Sequence, residues 1–185
     1  QVCVSPTRFF IQEPAWDRFM ARFTELSRAI KVGPGLEADT RMGPLAHARR
    51  VTAMAEFVED AAARGARIET GGERLGDIGN FFAPTVIAAP PDDARIMQAE
   101  PFGPIAACVP FKDLDEALRR ANSLPYGLSS YAFTSNTRSA LQGLGHSAVP
   151  TVAGITELVM RCFAAMVLSY FWGYLGVCLA SPLAW

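Results

Sequence analysis

The stretch that decides the fold is "IAACVPF", residues 105–111. None of its side chains is charged or polar, and an apolar run of this length is typical of a strand buried on both faces of a sheet. Such a strand needs cover above and below. The sequence therefore predicts a sheet packed against helices, with 105–111 as one of its buried strands.

Other short runs on either side of it also have strand character, because they combine β-branched, aromatic and apolar residues between turn residues. They are "TRFFIQ" (7–12), "RIET" (67–70), "PTVIA" (84–88) and "SSYAFT" (129–134).

Two longer segments have helical periodicity. The first begins near Pro14, which suits a first helical turn, and is expected to continue until Gly33. Its apolar side chains recur at helical spacing: Trp16, Phe19, Met20, Phe23, Leu26 and Ile30. The second runs from about Ala46 to Arg64 and is ended by Gly65. Its inward side chains are expected to be Val51, Met54, Phe57, Val58 and Ala61.

A third helix is predicted after the buried strand. Asp113 and Glu116 have the spacing of a capping box, and the helix is expected to run through about Asn122. The predicted order of elements is β-α-α-β-β-β-α-β, which indicates an α/β fold: a sheet rich in parallel strands, with flanking helices.

The composition excludes several classes of protein. A net charge of −1 is not the electrostatic footprint of a nucleic-acid-binding protein. The few cysteines and histidines lack zinc-site spacing, so neither a metal site nor a disulfide scaffold is expected. They are Cys3, Cys108, Cys162, Cys178, His47 and His146. No glycine-rich phosphate loop and no secretory signal are visible, and a cytoplasmic location is expected.

The last quarter of the sequence differs from the rest. All but two of the 17 basic and 18 acidic residues lie in 1–138; the exceptions are Glu157 and Arg161. The sequence thus predicts a folded domain over 1–138 and an apolar, helical tail over 139–185. Residues 162–180 are uncharged and about long enough to span a bilayer as a helix.

Three interpretations of this tail remain open. It is the product of a frameshift or truncation, so that its sequence is accidental. Alternatively, 162–180 is a membrane anchor, with Arg161 as its charged flank. In the third interpretation the tail folds over an exposed part of the core.

Two side chains could carry chemistry. Cys3 could act as a nucleophile if a base or a lowered pKa supplied its thiolate, but taken alone it is more often an ordinary thiol. Glu100, in "AEPFGPIA" (99–106), stands on a turn rich in proline just before the buried strand. A carboxylate there could accept hydrogen bonds from the hydroxyls of a ribose, or it could simply face water.

These segments, taken in order, resemble the aldehyde dehydrogenase superfamily over about residues 1–138. "QVC" with "SPTRFFIQ" is similar to the family's active-site motif. The motifs that follow in family order are "VGPGLEADTRMGPL" (32–45), "GARIETGGE" (65–73), "FFAPTVI" (81–87), "EPFGPI" (100–105) and "DEALRRANSLPYGLSSYAFT" (115–134).

The resemblance implies roles for three residues. Cys3 matches the catalytic nucleophile, Glu100 the glutamate that holds the nicotinamide ribose, and Phe102 the aromatic residue beside the nicotinamide. The implied enzyme is an oxidoreductase that oxidises a small aldehyde to a carboxylic acid through a thiohemiacetal and a thioester on Cys3, with NAD or NADP as acceptor. The family forms homo-oligomers.

The sequence also departs from the family pattern. The glycine expected before Gln1, the general-base glutamate, the oxyanion-stabilising asparagine and the coenzyme-binding domain are not in this sequence. We therefore expect a catalytic-domain fragment that is inactive alone, because loss of one oxyanion donor can cost about 10²–10³ in rate. The alternative is a non-enzymatic relic, attached to a membrane through 162–180. A cysteine hydrolase ranks last, since no base is identifiable.

Overall fold

The computed structural model describes residues 1–135, 162–163, 166–167 and 170. The chain divides into two units, 1–131 and 132–185. The first unit holds a sheet and its flanking helices. In the second, the described residues between 162 and 170 are helical and their side chains are exposed.

The first unit contains four strands and four helices, in an order close to the predicted one. They are β1 (Arg8–Gln12), α1 (Trp16–Arg28), α2 (Ala48–Ala63), β2 (Arg67–Thr70), β3 (Thr85–Ala88), α3 (Arg95–Gln98), β4 (Ile105–Phe111) and α4 (Leu114–Ala121). A 3₁₀ turn, Glu13–Ala15, precedes α1. The short helix α3 was not predicted, because four residues are too few to show a helical period.

The sheet has the order β1-β4-β3-β2. Strand β4 pairs in parallel with β1 on one side and with β3 on the other, while β2 pairs antiparallel with β3 at the edge. The sheet is mostly parallel, as predicted, with one antiparallel strand at its edge, and the apolar run at 105–111 is one of its two inner strands.

Helices cover both faces of the sheet. Buried side chains of α2, including Met54 and Phe57, pack with Ala107 and Val109 of β4. On the opposite face, Met20 of α1 packs with Cys108. Successive side chains of a strand point to opposite faces, so the single run at 105–111 supplies both cores.

The prediction for the first helix was wrong at its carboxyl end. Helix α1 ends at Arg28, not near Gly33, and Leu26 and Ile30 are exposed. The chain leaves the helix because the carbonyl of Lys31 accepts hydrogen bonds from the amides of Arg41 (2.9 Å) and Met42 (3.1 Å). This contact spans a loop, so helical periodicity could not reveal it.

The predicted capping box of α4 is present. The Glu116 amide donates to the Asp113 carboxylate at 2.9 Å, and the Glu116 carboxylate accepts from the Lys112 amide at 3.0 Å. The returning bond thus reaches one residue further back than in the usual pattern.

The predicted strand at 129–134 does not form. These residues are exposed and have no β structure. The segment is held to the amino-terminal loop by side chains: the hydroxyls of Ser129 and Tyr131 donate to the carbonyl of Val4. No ladder of backbone hydrogen bonds joins it to any part of the sheet that the structure describes.

The predicted apolar tail and the boundary at residue 138 remain predictions, because 139–185 falls almost entirely outside the described residues. Within the described part of the chain, no helix has the length and hydrophobicity needed to cross a bilayer.

Arg120 joins three elements of the first unit. Its guanidinium donates to the Pro110 carbonyl at 2.9 Å and to the Asp92 carboxylate at 2.6 Å. It also lies over the Phe10 ring, 5.6 Å from the centroid. The side chain is only 13% exposed. Arg120 therefore holds α4 against β1 and β4.

Replacement of this arginine should lower the stability of the fold. We expect Arg120→Ala to reduce the free energy of unfolding in urea by about 2 kcal/mol, because charge-assisted bonds and a partly buried carbonyl lose their donor. The matched control is Arg22→Ala, whose exposed ion pair with Glu25 should be worth less than about 0.5 kcal/mol. Equal losses in the two variants would contradict the role assigned to Arg120.

Candidate active site

The candidate site lies at the amino ends of β1 and β4. Because these strands are parallel neighbours, the segments that precede them meet at one edge of the sheet. The Ala107 amide donates to the Thr7 carbonyl at 2.9 Å, and the Thr85 amide donates to the Pro104 carbonyl at 2.8 Å. The loop 1–7 and the turn 100–104 are thereby placed side by side.

A small cleft of about 30 Å³ separates the two segments. Its lining contains Glu100 and Phe102, together with Gln1, Val2, Ser5, Thr7 and Gly103. The cleft has room for about one water molecule. Two of the three predicted site residues thus meet there, and the third, Cys3, lies on the same loop between Val2 and Ser5.

Cys3 sits in a turn closed by the Ser5 amide, which donates to the Val2 carbonyl at 3.0 Å. Its thiol is free and exposed. Among the described residues, none forms a hydrogen bond with this thiol. The arrangement leaves Cys3 accessible to an electrophile from solvent.

Glu100 follows α3, which is docked on α2. The Arg95 amide donates to the Asp60 carboxylate at 2.7 Å. That bond, together with the Arg64 guanidinium, lowers the pKa of Asp60 because both stabilise its charged form. Glu100 itself is exposed, and its carboxylate bonds to no side chain or backbone group that the structure describes. Its oxygens remain available as acceptors.

Phe102 has an unusual backbone. Its φ is +45°, in the left-handed region that bulky residues rarely adopt. The next residue, Gly103, has no room for a side chain, because a Cβ there would overlap the sulfur of buried Met54. Strain of this kind persists only where the surroundings impose it, and it is concentrated at functional sites. Phe102 is 37% exposed and lines the cleft.

The chemistry of these two side chains is of the kind that the resemblance implies for one end of a nicotinamide cofactor. The carboxylate of Glu100 could accept hydrogen bonds from ribose hydroxyls, and the Phe102 ring offers an apolar surface to the base. No cradle for the phosphates was visible in the sequence. In the described part of the chain, no three His, Cys, Asp or Glu residues are grouped as metal ligands would be.

The contacts that hold the site together were not visible from the sequence. The Gln1 side-chain oxygen accepts from the Ala46 amide at 2.9 Å, and the Tyr131 hydroxyl donates to the Val4 carbonyl at 3.0 Å. In the sequence, Gln1 was noted only as part of the motif that contains Cys3. Tyr131 was noted only as part of a predicted strand. Neither residue carries a local signal for a contact so distant in sequence.

Comparison with known proteins identifies the family. The model of the aldehyde dehydrogenase family matches residues 1–153. The chain belongs to the aldehyde dehydrogenase family. Its members are oxidoreductases that use NAD(P), and the match extends beyond residue 138, where the resemblance had been expected to end.

Individual relatives agree. The chain is 42% identical over 141 residues to the 4-(hydroxymethyl)benzenesulfonate dehydrogenase of Comamonas testosteroni, covering 76% of this chain and 29% of the relative. It is 33% identical over 164 residues to an NADP(+) succinate-semialdehyde dehydrogenase of Schizosaccharomyces pombe, covering 88% of this chain and 33% of that one.

The fold agrees as well. The lactaldehyde dehydrogenase of Escherichia coli superimposes with a TM-score of 0.76 at 33% identity, over 78% of this chain and 31% of the other. The chain therefore has an aldehyde dehydrogenase-like α/β fold and spans about three tenths of the length of its relatives.

A second described thiol of the first unit provides a contrast to the exposed Cys3. Cys108 lies on β4 and is fully buried. Burial raises the pKa of Cys108 to about 12, and the negative charge of Glu69 adds to the effect. Cys108 therefore stays protonated near neutral pH and is not a candidate nucleophile.

This raised pKa makes stability depend on pH. The native state keeps the Cys108 proton to about pH 12, whereas the ordinary pKa is 9.0, so its contribution is complete below pH 9.0 and lost as pH rises towards 12. We expect the free energy of unfolding of wild type, relative to Cys108→Ala, to fall over that window in urea titrations. A constant difference would contradict the assignment.

The backbone strain at Phe102 predicts that a glycine at this position gives a more stable protein than an alanine, the reverse of the usual order. Both Phe102→Ala and Phe102→Gly remove the ring, so they differ only in backbone preference. We expect the glycine variant to be more stable than the alanine variant by about 1 kcal/mol, because only glycine tolerates this φ without cost. Alanine equal to or better than glycine in urea unfolding would show that the backbone is unstrained.

Proposed function

We propose that this chain carries the nucleophile and the nicotinamide-ribose contacts of an NAD(P)-dependent aldehyde dehydrogenase. The observation that supports the proposal is the placement of the Cys3 loop beside the Glu100–Phe102 turn at one edge of the sheet. The substrate is a small aldehyde, in keeping with the names of the succinate-semialdehyde and lactaldehyde dehydrogenases to which the chain is similar.

Cys3 performs the covalent step. Its thiolate attacks the aldehyde carbon, forming a C–S bond, and the carbonyl oxygen takes a proton to give a thiohemiacetal. Loss of hydride from that carbon and of the hydroxyl proton leaves a thioester on Cys3. Water then attacks the thioester, releasing the carboxylic acid and regenerating the thiol.

Glu100 and Phe102 orient the acceptor. When bound, the nicotinamide supplies the site that receives the hydride. Glu100 accepts hydrogen bonds from the ribose hydroxyls, and the Phe102 ring limits the position of the base. Orientation of this kind can account for several kcal/mol of a barrier, since hydride transfer requires near-contact distances.

The chain alone is proposed to react once rather than turn over. The cleft holds about 30 Å³, which is room for about one water molecule and not for a substrate, and the Cys3 thiol is exposed. The chain spans about three tenths of the length of the curated relatives that it matches.

An activated ester tests the nucleophile directly, because transfer of its acyl group to a thiolate releases a coloured phenolate. With 4-nitrophenyl acetate we expect a burst of about one equivalent of 4-nitrophenolate per chain, followed by slow release of the acyl group. Cys3→Ala should abolish the burst, and Cys162→Ala, which removes an exposed thiol elsewhere, should preserve it. A burst that survives Cys3→Ala would refute the assignment.

A second arm tests whether the site is partial. With aldehydes and NAD or NADP in place of the ester, we expect no continuous increase in the absorbance of reduced nicotinamide. Turnover at rates typical of dehydrogenases would show that the chain is catalytically complete.

A further inference from the structure

The segment from Tyr126 to Tyr131, called the strap here, connects the two halves of the candidate site. At one end, the Tyr126 hydroxyl donates to the Gln98 carbonyl at 2.7 Å, two residues before Glu100. At the other end, the Tyr131 hydroxyl donates to the Val4 carbonyl at 3.0 Å, next to Cys3. Each tyrosine therefore holds the backbone of one loop that carries a candidate site residue.

Two attachments of the Cys3 loop flank Cys3, and the strap supplies one of them. The first is at Gln1, whose side chain accepts from the Ala46 amide at 2.9 Å. The second is at Val4, whose carbonyl accepts from Tyr131 and also, at 3.4 Å, from the Ser129 hydroxyl. Cys3 lies between these two fixed points, so its position depends on both.

The residues that precede the strap in sequence are attached to the sheet. The Arg8 guanidinium donates to the Ala121 carbonyl at 3.2 Å, and the Ser123 hydroxyl donates to the Arg120 carbonyl at 2.8 Å. The end of α4 is thereby fixed to β1. Tyr126 and Tyr131 follow this attachment along the chain.

The exposure and the hydrogen bonds of the two tyrosines indicate that the strap positions the two loops more than it stabilises the fold. Tyr126 and Tyr131 are 51% and 56% exposed, so they bury little apolar surface. Their hydroxyls nevertheless reach backbone carbonyls on two separate loops. Such bonds contribute little to the free energy of folding but restrict the geometry of what they join.

We propose that the strap fixes the spacing between Cys3 and Glu100, with Tyr126 and Tyr131 as positioning residues. The significance of this spacing rests on the proposed function, in which Cys3 forms the covalent bond and Glu100 holds the hydride acceptor. Without the Tyr131 hydroxyl, the peptide between Val4 and Ser5 loses the shorter of the two hydrogen bonds that its carbonyl accepts, and we expect the thiol to move away from the carboxylate.

The charge of Glu100 provides a readout of that spacing. A nearby carboxylate repels an anionic reagent more than a neutral one. The rate of Cys3 alkylation by iodoacetate, divided by the rate with iodoacetamide, should therefore be low in wild type at low ionic strength. Peptide mass spectrometry gives both rates for Cys3, with exposed Cys162 of the same chain as an internal reference.

We expect Glu100→Gln to raise the ratio at Cys3 about two- to fivefold, since the repulsion is removed. Tyr131→Phe and Tyr126→Phe should raise it in the same direction, without change in the thermal midpoint. The matched control is Thr52→Ala, which removes a hydroxyl-to-carbonyl bond within α2 and should leave the ratio unchanged.

Two results would overturn the proposal. If Glu100→Gln raises the ratio but neither tyrosine variant does, the strap does not set the spacing. If Glu100→Gln has no effect, Cys3 and Glu100 are not neighbours and there is no spacing to set. Neither result depends on aldehyde or NAD chemistry, so failure of the proposed function would be seen separately, as an ester burst that survives Cys3→Ala.

Discussion

The parallel pairing of β4 with β1 and β3 is the constraint on which the rest of the structure depends. β4 supplies the buried side chains of both cores, Cys108 on one face and Ala107 and Val109 on the other. Because the pairing is parallel, the amino ends of the strands meet at one edge. The Cys3 loop and the Glu100–Phe102 turn are neighbours for this reason, although about 100 residues of chain separate them.

The turn that carries the candidate site residues is in direct contact with the hydrophobic core. Gly103 lies against Met54, and its neighbour Phe102 has a left-handed backbone conformation at the edge of the cleft. Helix α2 therefore does more than cover the sheet, because it also shapes the turn on which Glu100 stands. A change in the packing of Met54 should alter the conformation of the Glu100–Phe102 turn, since packed interiors transmit strain.

Much of this could be predicted from the sequence where the signal is local. The apolar run of β4, the period of α2 and the capping box at Asp113 each depend on neighbouring residues, and each appears in the structure. The end of α1, the absence of a strand at 129–134 and the contacts of Gln1 and Tyr131 depend on partners distant in sequence. The placement of Glu100 beside the Cys3 loop was implied only by family resemblance, because a single sequence carries no signal for pairing across the sheet.

The most direct test of this account is a chemical cross-link between Cys3 and Glu100→Cys, in a chain whose Cys162 and Cys178 are replaced by serine. A short bifunctional maleimide should join the two thiols within one chain in high yield. Lys112→Cys, at the other end of β4 and about 20 Å away by strand rise, should remain uncross-linked. Efficient cross-linking at residue 112 but not at residue 100 would contradict the parallel register, and with it the candidate site.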